Sequence, residues 1–262
     1  MKTSALRVVS FPGLRTSNHI HRRLHEVFDR HPAISAERIE YRSGRSWLGR
    51  TDILHMHWLT DVYVVLSESQ RSLIPTGGRE RPLHVLGIPG TGELFPDSIC
   101  EVSRADLDLP ERPLVAFVGR IHPNKRVPEF VAAFEAADSS GVTLVVVGEN
   151  LDPTFSPTAY STGNVILRDT ALEIDDYGRY LVSADFAVYP YRNHQNSGAV
   201  IDALSLGTPV LVTPSQALEG LASILPNAVR VEPWSDTFVD TTVGMARAGG
   251  AEHIDTAAVV QL

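Results

Sequence analysis

The sequence predicts an α/β protein, with a doubly wound parallel sheet over residues 111–262 and the start of a second domain of the same kind ahead of it. Three observations carry this. From residue 113 onward, short runs of β-branched and apolar residues alternate with amphipathic runs. The strand-like runs are continuously apolar rather than alternating, as in strands covered on both faces and therefore parallel. Their regular succession, strand then helix, is the pattern of βαβ units.

In chain order, Leu6–Phe11 is strand-like. Ile20, Leu24, Val27 and Phe28 then fall at i, i+4, i+7 and i+8, one face of a helix that Asn18 is placed to cap. Residues 52–58 form a second strand-like run, after which the pattern stops early. Residues 65–110 hold Gly77-Gly78, Gly87, Pro89-Gly90, Gly92 and Pro96, a turn-rich stretch with little periodicity. Pro110-Glu111-Arg112-Pro113 marks the expected divide, giving domains 1–110 and 111–262. Beyond it residues 115–118 read as a strand, and Val127, Val131 and Phe134 as the face of a helix opened by Pro128. Residues 144–147 and 165–167 are the next strands. Ile174, Tyr177 and Leu181 mark a second helix before the strand Phe186–Tyr189; Val200, Ala203 and Leu204 mark a third before Val210–Val212.

At roughly 150 residues per domain, 262 residues make one large domain or two small ones. A hydrophobic share of 43% is enough for a sizeable core. The net charge of −8, from 23 basic and 31 acidic residues, argues against a protein that works by neutralising nucleic-acid phosphates. A lone cysteine, Cys100, excludes an internal disulfide and a multi-cysteine zinc site. No apolar run approaches the ~18 residues that cross a bilayer, and Met1 leads into a strand-like run without a signal-peptide core. A cytoplasmic setting is expected, with contact at the inner face of a membrane left open.

The chemistry concentrates at two strand ends. Phe117-Val118-Gly119-Arg120 closes a buried strand, and Lys125 follows five residues after Arg120 in the loop to a helix. Ligands of open α/β sheets bind beyond the carboxyl ends of strands. An arginine fork and a mobile lysine there suit a diphosphate. The competing reading is two surface charges in weak ion pairs. The second segment runs Tyr189-Pro190-Tyr191-Arg192-Asn193-His194-Gln195-Asn196-Ser197-Gly198-Ala199. A polar loop opens there into a helix whose first amides, with a glycine allowing close approach, form an anion site; an ordinary helix capped by Ser197 is the alternative. No G-x-G-x-x-G follows the first strand, where Ser10-Phe11-Pro12-Gly13-Leu14-Arg15 stands, which disfavours a nicotinamide-dependent oxidoreductase.

Taken with Val146-Val147-Gly148-Glu149, Ser183-Ala184-Asp185 and Ala203-Leu204-Ser205-Leu206-Gly207-Thr208-Pro209-Val210, these segments resemble glycosyltransferase family four over about residues 113–232. The resemblance implies a GT-B fold of two facing Rossmann-like domains, an N-terminal acceptor-side domain and a C-terminal nucleotide-sugar-binding domain. It implies a hexosyltransferase, retaining, that moves a hexose from a nucleotide diphosphate sugar to a glycan or lipid-linked acceptor, as in polysaccharide biosynthesis. Gly119, Arg120 and Lys125 would contact the donor diphosphate, and the amides of Ser197, Gly198 and Ala199 its distal phosphate. Residues from Val165 to Arg168 would lie near the base.

Many family members carry two glutamates eight positions apart. Here the second position is Asp202, a carboxylate for the ribose, and the first is His194, a departure at the sugar contact. Between Trp58 and Leu66 the family has further elements, including a strand bearing a histidine; here only seven residues intervene, so the N-terminal domain is shortened. His55 and His57 share one side of their strand, and His57 is the candidate for the reacting sugar, a buried structural histidine being the competitor. His21 and His25, at i and i+4, have the spacing of a metal pair but no third ligand, and a solvated helix face fits them better. No metal or resident cofactor is expected, the nucleotide sugar being substrate. The alternative function is a non-catalytic nucleotide-sugar binder with a degenerate acceptor domain.

Overall fold

The computed structural model describes residues 101–156, 163–193 and 197–249, together with Phe95, Ile99 and the backbone of five strands ahead of them. The chain forms two compact units, one of Met1–Val64 and Thr76–His84, the other of Val65–Pro75 and Val85–Leu262.

In the first unit β1 (Leu6–Phe11) lies between β2 (Ile34–Arg38) and β3 (Ile53–Met56), parallel to both. Val8 pairs with Ala36 on one side and Ile53 on the other. Parallel neighbours need long crossovers, so this is the start of a wound sheet, as the sequence predicts. Tyr63–Val65 (β4) and Leu83–Val85 (β5) pair with each other where the chain passes between units. The predicted helix at Ile20 to Phe28 lies outside the described residues, as do His21, His25 and His57; His55 is described by its backbone, in register with Ser10.

The second unit is built on six strands, β6 (Leu114–Val118), β7 (Thr143–Val147), β8 (Val165–Arg168), β9 (Phe186–Tyr189), β10 (Val210–Val212) and β11 (Val229–Val231). Their order is β11-β10-β9-β6-β7-β8, with every pairing parallel. Strands β6, β7, β9 and β10 are buried at every residue, which is why their sequences are apolar runs rather than alternations. The chain grows from β6 outward to β8, returns to lay β9 beside β6, and then grows the other way. This is the doubly wound order, and its reversal falls between β6 and β9.

Around the sheet stand α1 (Val127–Ala136), α2 (Ile174–Val182), α3 (Gly198–Ser205), α4 (Gln216–Ile224) and α5 (Asp236–Arg247). Right-handed crossovers in opposite directions put α1 on one face and α3 and α4 on the other. On the α1 face, Phe130 and Phe134 pack together and Phe130 meets Phe238 of α5 edge-on at 6.0 Å.

Residues ahead of the proline pair at 110–113 belong to the second compact unit, which takes in Val65–Pro75 and everything from Val85 onward. Phe95, Ile99, Leu107 and Leu109 are buried in the core of the second unit. Gly178 of α2 makes room for the first two: a Cβ there would stand 2.3 Å from Ile99 Cδ1 and 2.7 Å from the Phe95 ring. Arg104 donates to the Ser183 carbonyl and pairs with Asp185 at 2.9 Å, and Asp185 in turn accepts from the Leu114 amide at the start of β6. These four buried residues stand singly and without a period, so the turn-rich stretch gives no pattern that marks them.

Candidate functional site

The backbone at the reversal point is set by two glycines. Gly119 follows β6 with φ 132° and Gly148 follows β7 with φ 152°, conformations open to glycine. A Cβ on Gly148 would lie 2.1 Å from the Gly119 carbonyl oxygen. The two strand ends therefore meet backbone to backbone, and the loop leaving β6 stays tied down: Gly119 donates to the Val147 carbonyl and Ile121 to that of Glu149, both at 2.9 Å.

A 3-10 turn at Pro123–Lys125 then folds the loop back, closed by the Lys125 amide on the His122 carbonyl at 2.8 Å. It brings the Lys125 ammonium over the end of β6, 5.8 Å from the Phe117 ring centre, 5.3 Å from that of Tyr191, and beside Gly119. Burial, and secondarily the charge of Arg120, lowers the Lys125 ammonium from its usual 10.5 to about 8. Among the described residues Lys125 pairs with no carboxylate. Sequence spacing thus located three residues, Gly119, Arg120 and Lys125, that the fold brings together.

The end of β9 meets this loop. Arg192 donates its amide to the Asn124 carbonyl at 2.8 Å, and its guanidinium pairs with Glu129 in the first turn of α1. Beside it Arg126, at the α1 start with a left-handed backbone (φ 57°), lies over the Trp234 ring at 4.9 Å. Ser197 is the N-cap of α3 in an extended conformation, its side chain making no capping bond. Gly198 and Ala199 are half-exposed. The first amides of an α-helix have no acceptor within it, so the start of α3 presents donors and a positive dipole end. Both anion-suited elements, the Gly119–Lys125 loop and the α3 start, follow the two strands that flank the reversal.

Two further residues expected at the donor, Arg168 and Asp202, pack inside the unit. Arg168 ends β8, but its guanidinium runs back under α2, donating to the Tyr180 hydroxyl and, at 2.8 Å, to the Leu107 carbonyl. Tyr180 stands six residues into α2, roughly 9 Å from its start along the axis, so this arginine braces the helix and the 105–109 segment rather than facing the strand end toward a base. Asp202 is 1% exposed, and its charge helps raise the Tyr189 and Tyr191 phenols, burial being the larger cause. It faces those tyrosines from inside, because α3 is buried nearly all round from its second turn. His194 and His57 lie outside the described residues.

Sequence reasoning passed over the aromatic floor of the site, Phe117, Tyr189 and Tyr191. The Tyr-Pro-Tyr at a strand end was its signal. Among the described residues no three His, Cys, Asp or Glu side chains form a metal-binding group, and no helix is long and apolar enough to cross a membrane.

Residues 112–241 match the protein family described as Glycosyl transferases group 1. A stretch of 104 residues is 36% identical to a GDP-mannose-dependent alpha-mannosyltransferase of Mycolicibacterium smegmatis, covering 38% of this chain and 25% of that protein. The chain thus matches a quarter of that relative's length. Among solved structures, AviGT4, a glycosyltransferase involved in avilamycin A biosynthesis, aligns with TM-score 0.61 at 17% identity over 99% of this chain and 93% of its own. Sucrose-phosphate synthase from Thermosynechococcus elongatus aligns with TM-score 0.56 at 20% identity, covering 80% and 51%. Anabaena HepE in complex with UDP-glucose aligns with TM-score 0.53 at 17% identity, covering 78% and 62%. These neighbours are GT-B glycosyltransferases, and the fold is shared with them.

Proposed function

On the premise that residues 112–241 form a group 1 glycosyl transferase domain, we propose that the chain binds a nucleoside diphosphate sugar beyond the carboxyl ends of β6 and β9. From it the chain transfers a hexose, with retention, to a glycan or lipid-linked acceptor. The observation that carries this reading is Lys125, a half-buried ammonium without a carboxylate partner among the described residues, standing at the reversal of strand order. A group held at that electrostatic cost is poised for an arriving anion.

In this reading Arg120 and Lys125 neutralise the diphosphate from the β6 side and the amides of Ser197, Gly198 and Ala199 take the distal phosphate. As the glycosidic bond breaks, negative charge grows on the departing diphosphate. Donors already fixed in place stabilise that charge without reorganising, which is the largest source of rate enhancement in such sites. The matched relative is named for GDP-mannose and HepE was solved in complex with UDP-glucose, which supports the nucleotide-sugar class without choosing a base. AviGT4 carries the fold over 93% of its own chain and 99% of this one, so a short N-terminal unit is compatible with the GT-B architecture.

Titration calorimetry with UDP, GDP and ADP, followed by transfer and hydrolysis assays with their sugars, tests the reading. Arg120→Ala is expected to cost about 1.5–3 kcal/mol of diphosphate affinity, the range for hydrogen bonds to charged groups, with the unfolding midpoint nearly unchanged. A wild-type chain that binds none of the three sinks it; one that binds but turns over no sugar leaves the non-catalytic binder.

A further inference from the structure

We infer that Tyr189 and Tyr191 are positioning residues that fix the two halves of the phosphate site against each other, the Tyr191 ring seating Lys125 and the Tyr189 hydroxyl seating the start of α3. The inference rests on the nucleotide-sugar reading above. Nothing in the strand pattern alone demands tyrosine here, since β9 needs only apolar bulk and phenylalanine supplies it.

Tyr189 is the last residue of β9 and fully buried, and its hydroxyl donates to the Ala199 carbonyl at 3.0 Å. That carbonyl belongs to the first turn of α3, so the bond fixes where the free amides at the helix start are aimed. Two residues on, the Tyr191 ring stands 5.6 Å from that of Tyr189 and 6.4 Å from that of Phe117, both edge-on. The Tyr191 backbone is held by the Thr213 hydroxyl, which donates to its carbonyl at 2.7 Å. The face of its ring lies 5.3 Å from the Lys125 ammonium. One rigid aromatic pair therefore touches the cation on the β6 side and the helix start on the β9 side. The spacing between them, which a diphosphate must match, is set by two rings rather than by flexible loops. The charged groups acting on the pair are Lys125, over the Tyr191 ring, and Asp202, whose charge acts on both phenols, with Arg120 acting in turn on Lys125.

The test compares nucleoside monophosphate and diphosphate binding, UMP with UDP and GMP with GDP, in the wild type and in Tyr189→Phe, Tyr191→Phe and Tyr191→Leu. Tyr189→Phe keeps the ring and removes the hydroxyl that holds the helix. It is expected to lose about fivefold in diphosphate affinity, as for one hydrogen bond, while monophosphate affinity stays within about twofold; Tyr191→Phe, which keeps the ring against Lys125, is expected to bind both as the wild type does. Misfolding lowers both ligands alike, so the ratio reads positioning alone. Tyr191→Leu also removes the ring beneath Lys125, and the pH midpoint of diphosphate binding then moves up from about 8, whereas Tyr191→Phe leaves it in place. Equal losses for mono- and diphosphate, or no loss, in Tyr189→Phe, or an unmoved pH midpoint in Tyr191→Leu, overturn the positioning role. A wild type that binds neither diphosphate overturns the functional reading, and the tyrosine role with it.

Discussion

Between Phe117, Tyr191 and Arg120, Lys125 holds its proton less tightly than in an unfolded chain, at about 8 against 10.5. Below pH 8 both states keep the proton and the folded state carries the full cost of burying charge. Between about 8 and 10.5 the folded protein has released a proton that the unfolded chain retains, so stability rises with pH across that window. Lys125→Met is expected to raise the unfolding temperature at pH 7 and to flatten that rise, checked by thermal denaturation from pH 7 to 10. A bound diphosphate restores the proton. Affinity for UDP or GDP in the wild type should therefore fall above pH 8, by up to about tenfold per pH unit; calorimetry in buffers of different ionisation enthalpy measures the proton taken up. Gly148 makes a second prediction at this scale. Alanine there combines a left-handed backbone with a Cβ against the Gly119 carbonyl, and should cost about 3 kcal/mol or more in urea unfolding. The Gly-Arg…Lys spacing was readable because strand end, turn and cation are all local in sequence. The aim of Asp202 was not, since it depends on what packs over the second turn of α3.

Helices were recognisable in proportion to the apolar stripe they bury. In α1, Val127, Phe130, Val131 and Phe134 are all buried and all strongly hydrophobic. In α4 only Leu218 is buried, so there is no stripe to see, and Ser215 marks the start only by its cap, accepting from the Leu218 amide at 3.3 Å. In α5, Thr242 and Ala246 occupy buried positions and blur the period. Strand β11 has three residues with Arg230 exposed in the middle, too little for a pattern. The glycine of α2 carries a prediction of its own. Gly178→Ala drives a methyl group into Ile99 and Phe95, and overpacking of this kind costs about 1–3 kcal/mol. Limited proteolysis should find cleavage in residues 85–104 faster in that variant, while the end of α5 is cut at the wild-type rate.

At the scale of the whole molecule, the second unit begins well before the proline pair that looks like its border. A chain starting at residue 85 is expected to outlast one starting at 111 by about 3–6 kcal/mol in denaturant unfolding. Each of the four buried side chains Phe95, Ile99, Leu107 and Leu109 is worth about 1.5–3 kcal/mol before the entropy of ordering the segment is subtracted. Equal stability of the two would show that the 85–110 segment merely rests on the core. What the sequence determined by itself was the class of the fold, the strands of its buried sheet and the loop that carries Gly119, Arg120 and Lys125, because periodicity, turn chemistry and short spacings are local properties. What only the tertiary structure decided was which residues ahead of 111 pack into the second unit, where the Arg168 and Asp202 side chains pack, and that Tyr189 and Tyr191 stand against Ala199 and Lys125. Those depend on contacts such as Tyr189 with Ala199, Arg168 with Leu107 and Ile99 with Gly178, the last between residues 79 positions apart like Arg104 with Ser183, and no local pattern encodes a partner at that distance.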